Sequence, residues 1–172
     1  PTCHRRRCIM GPQSLSNLRA LIEPSGLRLS GGLRVGDESI VLLSPGEVFW
    51  PIFSTSAEYL DGEADPMDRW SARVIGALAT QTEAKAYFPF GDPPAPFFTW
   101  AQQSNAAWPS PVHLLVGAEM GLNISYRGAL GFRAALDFAP RDPPCQPCTA
   151  PCTRACPAGA LTEEGYDVPA CK

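Results

Sequence analysis

The chain reads as an α+β protein: a mixed, mainly antiparallel sheet with flanking helices, followed by a small C-terminal cysteine module. Three observations predict this. Strand-length apolar runs and amphipathic helical stretches follow one another in mixed order, which excludes a helical bundle. Nineteen prolines and 15 glycines among 172 residues require many turns between short elements. Five of seven cysteines fall in the last 28 positions, behind the proline-rich stretch AlaProArgAspProPro that ends at Pro144. A chain of this length buries one substantial core and is too short for two full-sized domains.

The elements follow in order. Ser14 or Ser16 caps a helix whose apolar positions Leu15, Leu18, Leu21 and Ile22 recur at helical spacing, and Pro24 with Gly26 ends it. Leu27, Leu29, Leu33 and Val35 form one strand and IVLLS at 40–44 a second. GEVFWPIFSTS is ambiguous, with Pro51 able to sit in a first helical turn. Asp65 as a cap and Pro66 at the first position open the best helix, which carries Met67, Trp70, Val74 and Leu78 on one face. AYFPF at 86–90 reads as a strand that runs into the turn GDPPAP, and FTWAQ then gives one or two helical turns. PVHLLVG and LNISYRGALGF are expected to pair with each other about the polar link AlaGluMetGly. The tally is three helices and five strands, divided into an arm at 1–13, a scaffold domain at 14–140 and a cysteine segment at 141–172.

Charge and hydropathy narrow the function. The formal net charge is -3, and among 14 basic residues only Lys85 and Lys172 are lysine, so no broad positive field exists to hold a nucleic acid. Apolar runs such as ValHisLeuLeuVal at 112–116 fall far short of the ~20 residues that cross a bilayer, so no membrane span is expected. An odd cysteine count and the lack of an opening signal-type segment point to a reducing compartment, such as a bacterial cytoplasm. The opening PTCHRRRCIM reads as a basic tail; as a targeting remnant it would imply the mitochondrial matrix. Cys3 and Cys8, with His4 between, match no metal pattern.

The densest chemistry lies at Cys145, Cys148, Cys152 and Cys156, spaced C-x2-C-x3-C-x3-C-P. Zinc knuckles need a longer spacer between two pairs so that four thiolates reach one ion tetrahedrally. A [4Fe-4S] cubane is larger, and three thiolates from one tight loop can each meet a different iron. This is the logic of the bacterial run C-x2-C-x2-C-x3-C-P, in which the cysteine before proline serves the other cluster; here the second gap is one residue longer. AlaGlyAlaLeu after Pro157 suits the small-residue start that follows such a proline, and Cys171 follows 15 residues beyond Cys156.

Other residues carry weaker signals. His113 alternates with apolar neighbours and reads as a sheet residue without a functional role. Trp50, Trp70, Trp100 and Trp108 read as core. Arg127, next to Gly128, reads as the partner of a local acid such as Glu119. No nucleophile elbow is present, and Gly26, Gly31 and Gly32 lack the spacing of a phosphate loop.

LLVGAEMGLNISYRGALGF, the proline and acid linker, CQPCTAPCTRACPAGAL and the later lone cysteine resemble the ferredoxin-domain proteins related to epoxyqueuosine reductase. The resemblance runs over residues 15–172, strongest at the cysteine loop and fainter toward AspProMetAspArgTrp and PheProPheGly. It implies an N-terminal half related to the flavin-reductase-like fold that some relatives use to hold cobalamin, followed by a two-cluster ferredoxin module. On that pattern Cys145, Cys148 and Cys152 hold one 4Fe-4S cluster while Cys156 and Cys171 serve a second. The chain departs from the family in lacking the second cysteine motif. It also lacks a clear match to the catalytic acid: Asp92, in about the right region, reads as an ordinary turn residue.

The reading is an iron-sulfur protein that passes single electrons to a redox partner protein. One alternative is a cobalamin- or flavin-dependent reductase fed by the cluster, and another is a structural subunit with a vestigial site. The missing ligand leads to the expectation that a further C-terminal segment or another chain completes the site. Despite the resemblance to a tRNA-modifying enzyme, the acidic balance predicts no useful tRNA affinity. A filter-binding titration at physiological salt checks this, and a submicromolar dissociation constant contradicts it.

Overall fold

A computed structural model describes residues 14–162 and 164–171. They fold as an α+β protein with antiparallel sheets. The central sheet has the order β1-β2-β6-β3, every neighbouring pair antiparallel, with β1 Leu27–Val35, β2 Glu38–Pro45, β3 Lys85–Tyr87 and β6 Gly128–Phe132.

IVLLS is a continuous apolar run because β2 is buried on both faces. Val41 and Leu43 face one core, where Leu18 and Ile22 of α1 (Leu15–Ile22), Phe49 and Phe53 of α2 (Phe49–Ser54) and Trp70 and Ile75 of α4 (Pro66–Thr82) pack. Ile40 and Leu42 face a second core with Phe97, Trp100 and Ala101 of α5 (Phe97–Gln103). The sheet is thus sandwiched between helices.

β1 changes faces midway. Leu29 pairs with Leu43 and Gly31 with Leu42, leaving Ser30 as an extra residue that shifts the register. Leu27 and Leu29 therefore join the first core and Leu33 the second, although all three are odd-numbered.

Helix ends follow local chemistry. Ser14 Oγ accepts from Asn17 N–H at 3.3 Å at the start of α1, and Gly26, at φ 86°, ends the 3₁₀ turn Glu23–Ser25 in a left-handed conformation. The ambiguous GEVFWPIFSTS becomes α2, followed by the single-turn α3 (Ala57–Leu60), which Ser56 caps. Asp65 holds the cap position of α4 in a left-handed conformation with no side-chain cap; its carbonyl accepts from Asp68 and Arg69 N–H instead.

Several sequence expectations are overturned. PVHLLVG and LNISYRGALGF do not form a hairpin: β5 (Leu115–Gly117) pairs with β4 (Ala107–Pro109), and β6 inserts between β2 and β3. The reason is that all five residues of GALGF are buried, so the segment needs a strand on each edge and cover on each face. His113 lies exposed in a turn at φ 62°, outside any strand. AYFPF yields only the short β3, and Phe88 and Phe90 then stack at 5.0 Å. Trp70 and Trp100 are core and Trp108 is half-buried, but Trp50 is exposed. Arg127 meets Asp68 at 3.4 Å rather than Glu119.

Residues 133–151 contain no helix or strand, yet their first part is held to the body. Leu136 N–H donates to the buried Ser39 Oγ at 3.0 Å, and the Phe138 ring occupies the space a Cβ on Gly32 would take, only 2.0 Å away. Gly32→Ala is therefore expected to destabilise the protein by about 1–3 kcal/mol through overpacking. Thermal or denaturant melts check this, and adding Phe138→Ala should recover part of the loss; a neutral Gly32→Ala would contradict the packing.

Candidate metal centre

The cysteine segment is built from turns. Cys148 N–H donates to Cys145 C=O at 3.2 Å, and Arg154 N–H to Pro151 C=O at 3.1 Å, as the single-turn α6 (Cys152–Ala155) begins behind Pro151. Ala150 reaches φ 52° to turn the chain between Cys148 and Cys152. Beyond Pro157 the chain forms a minimal hairpin, β7 (Leu161–Thr162) with β8 (Gly165–Tyr166), and a last turn, α7 (Val168–Cys171). Asp167 N–H donates to Ala160 C=O at 2.8 Å, which folds this tail back beside the residues that follow Cys156.

All five thiols of the segment are free; Cys145, Cys152 and Cys156 are half-buried, while Cys148 and Cys171 are exposed. Electrostatics divide them into two groups. Burial pushes the Cys145 thiol above its ordinary range, and the charges of Cys148 and Cys152 add to the effect, so these three bear on one another. Cys156 is held below the ordinary range, chiefly by the backbone amides of Ala160 and Ala158, with further help from Leu161 and Gly159. Those amides come from the turn AlaGlyAlaLeu, whose small residues leave the N–H groups open toward sulfur. A hydrogen bond to Cys171 raises the Tyr166 hydroxyl, and the charges of Cys171 and then Cys156 raise it further. Cys156 and Cys171 thus share a neighbour that the first three do not.

Among the described residues, no three Cys, His, Asp or Glu side chains converge as one metal ion would require. A cubane takes its thiolates at separate iron corners, and a donor set of soft sulfurs with no carboxylate or imidazole among them suits it. An open cleft of about 520 Å³ in the same segment is lined by Thr149, Thr153, Arg154, Leu161, Thr162 and Glu164, among others, and by no cysteine.

Of the other residues weighed from the sequence, Asp92 is exposed in the GDPPAP turn at a cis peptide bond with Pro93, as a turn residue would be. Cys3, His4 and Cys8 lie outside the described residues. Sequence reasoning missed two participants. Tyr166 meets Cys171 because the β7–β8 hairpin doubles the chain back, and the cue was Gly165, whose φ of 147° permits the turn. Glu119 was expected to pair with Arg127, but it receives Arg28 of β1 and Arg141 of the linker. Arg28 also reaches Met120 Sδ at 3.2 Å.

Compared with known proteins, the chain matches no protein-family model, no curated protein and no solved structure.

The arginine–carboxylate bridge ties the entrance of the cysteine segment to β1. Glu119→Gln is expected to loosen it, so that tryptic cleavage after Arg141 accelerates several-fold in limited proteolysis while thermal stability falls by no more than about 1 kcal/mol. An unchanged cleavage rate would contradict this anchoring.

Proposed function

We propose that this protein carries a 4Fe-4S cluster at its C-terminal cysteine segment and passes single electrons to a redox partner protein. The observation that carries the reading is a run of five free thiols, with Cys145, Cys148 and Cys152 ahead of Cys156 in one turn-rich segment and Cys171 on the tail that folds back beside the residues following Cys156. The spacing C-x2-C-x3-C-x3-C-P supports setting Cys156 apart from the first three, since the cysteine before proline belongs with a different cluster from its neighbours in ferredoxin runs.

On this reading Cys145, Cys148 and Cys152 would hold one cluster, with a further ligand supplied from outside the three, while Cys156 and Cys171 would serve a second. Such a cluster supplies reversible one-electron chemistry at a potential set by its surroundings. The chain's own part is to present deprotonated sulfur and to stabilise it. The amides of Ala158, Gly159, Ala160 and Leu161 donate toward Cys156 sulfur, which favours its anionic form without a counter-ion. Tyr166 lies in hydrogen-bonding contact with Cys171, and that contact raises its own hydroxyl. The half-buried Cys145 would keep its side of such a cluster partly shielded from water.

The test is anaerobic purification followed by iron and acid-labile sulfide analysis, with an electron paramagnetic resonance spectrum after dithionite reduction. About four irons per chain is expected for one cluster and about eight for two. Cys145→Ser, Cys148→Ser or Cys152→Ser should each abolish the signal of the first cluster, because an alkoxide poorly replaces a soft thiolate. Disulfide pairing of these sulfurs, a single tetrahedral zinc, or iron-free protein under anaerobic preparation would defeat the proposal; a pink or yellow chromophore would favour a cobalamin or flavin enzyme.

A further inference from the structure

We infer that the outer face of α2 and α3 is a docking surface for a basic, apolar-anchored segment of another protein. The inference is independent of the cysteine segment.

Within α2, Phe49 and Phe53 turn inward while Trp50 stays 56% exposed. Tyr59 of α3 joins it edge-on with ring centroids 5.9 Å apart, and Val48 and Leu60 flank the pair at 52% and 70% exposure. Among the described residues, four of the nine exposed large hydrophobic side chains thus fall within a 13-residue span. Single exposed apolar residues are ordinary, but a contiguous group centred on Trp and Tyr has the composition of an interface anchor. The platform is also held in place. Trp50 contacts Phe53 at 5.9 Å, Tyr59 contacts Phe53 at 5.2 Å, and the Tyr59 N–H is capped by Ser56 Oγ. Little side-chain entropy remains to be lost on binding.

Charge selects the occupant. Residues 47–65 include five acids and no Lys, Arg or His. Arg73 holds the Glu58 carboxyl down to about 2, and Arg69, with bonds of 2.7 Å to both oxygens, holds Asp61 at about 2. Among the described residues, Glu47, Glu63 and Asp65 make no side-chain ion pair. Arg19 and Glu23 line a neighbouring cleft with Glu47 and offset each other. The rim is therefore net negative. A second copy of the chain would bring this rim against itself, since a two-fold contact uses the same patch twice, and like charges would oppose it. Nucleic acid is repelled for the same reason. A segment with Lys or Arg flanking an apolar side chain satisfies both features, its cation meeting the carboxylates or the Trp50 face.

The probe is a fluorescent peptide of alternating Arg and Leu residues, compared with one in which Glu replaces Arg, titrated by anisotropy. The basic peptide should bind and the acidic one should not, and raising salt from about 0.05 M to about 0.5 M should weaken binding several-fold. Trp50→Ala should weaken binding by about tenfold or more. Because that variant alters an exposed site, the triple change Glu47→Gln, Glu63→Gln and Asp65→Asn supplies an independent arm, in which binding should fall and its salt dependence flatten. The proposal is overturned by absent binding, by equal binding of the acidic peptide, or by indifference to both variants. It is also overturned if sedimentation shows a dimer that Trp50→Ala dissolves, which would make a second copy the occupant.

Discussion

The double burial of β2 is the constraint on which the rest of the fold depends. A strand with Ile40, Val41, Leu42 and Leu43 in succession cannot turn either face to water, so it needs a neighbour on each edge and a helix layer on each side. β1 and β6 supply the edges, and α1, α2 and α4 on one face and α5 on the other supply the layers. The same demand explains the glycines of β6. A Cβ on Gly128 would lie 2.6 Å from Ile75 of α4, and one on Gly131 would lie 2.8 Å from the Tyr87 ring, so close approach of helix and neighbouring strand requires their absence.

The linker is organised by the body rather than by itself. Ser39, buried in β2, accepts the Leu136 N–H at its hydroxyl oxygen, Gly32 of β1 receives Phe138, and Glu119 gathers Arg28 and Arg141. Each contact comes from a different part of the scaffold, and together they fix the chain up to the threshold of the cysteines. The exit direction of the cysteine segment is thus a property of the central sheet. On the proposed reading, such anchoring would give a redox group a reproducible position relative to the body.

The sequence made local structure legible where one rule dominated. Ser14 with the period of Leu15, Leu18 and Ile22 located α1, and Pro66 with the Trp70 stripe located α4, because caps and periodicity act within a few residues. It misled where partners were distant. β6 looked like the second arm of a hairpin because LNISYRGALGF follows PVHLLVG closely, yet the burial of all five GALGF residues was satisfied only in the central sheet. The face switch of β1 at Ser30 and the pairing of Glu119 with Arg28 and Arg141 leave no periodic trace, since each depends on a register or a contact formed across the fold. The candidate thiols were readable because their spacing is itself the signal; Tyr166 became visible only after the hairpin returned it to Cys171.

The cysteine segment poses a stability question whose answer bears on the proposed cofactor. Among its described residues from Arg141 onward, only Ala160 is buried, and the hairpin of β7 and β8 has two residues per strand. Two-stranded hairpins of that size are marginal, and so short a segment lacks the apolar area that offsets the entropy of ordering its backbone. Small segments of this kind ordinarily gain their order from disulfides or from metal. Here the five thiols are unpaired, and amides already point at Cys156 sulfur. Thiolate–iron bonds would cross-link Cys145, Cys148 and Cys152 and remove most of the freedom of the loop between them, coupling cluster binding to folding. On the proposed reading, then, the cluster is at once the electron site and the core that this segment otherwise lacks, and losing it should unfold residues 141–171 while leaving the double-sided sheet around β2 intact.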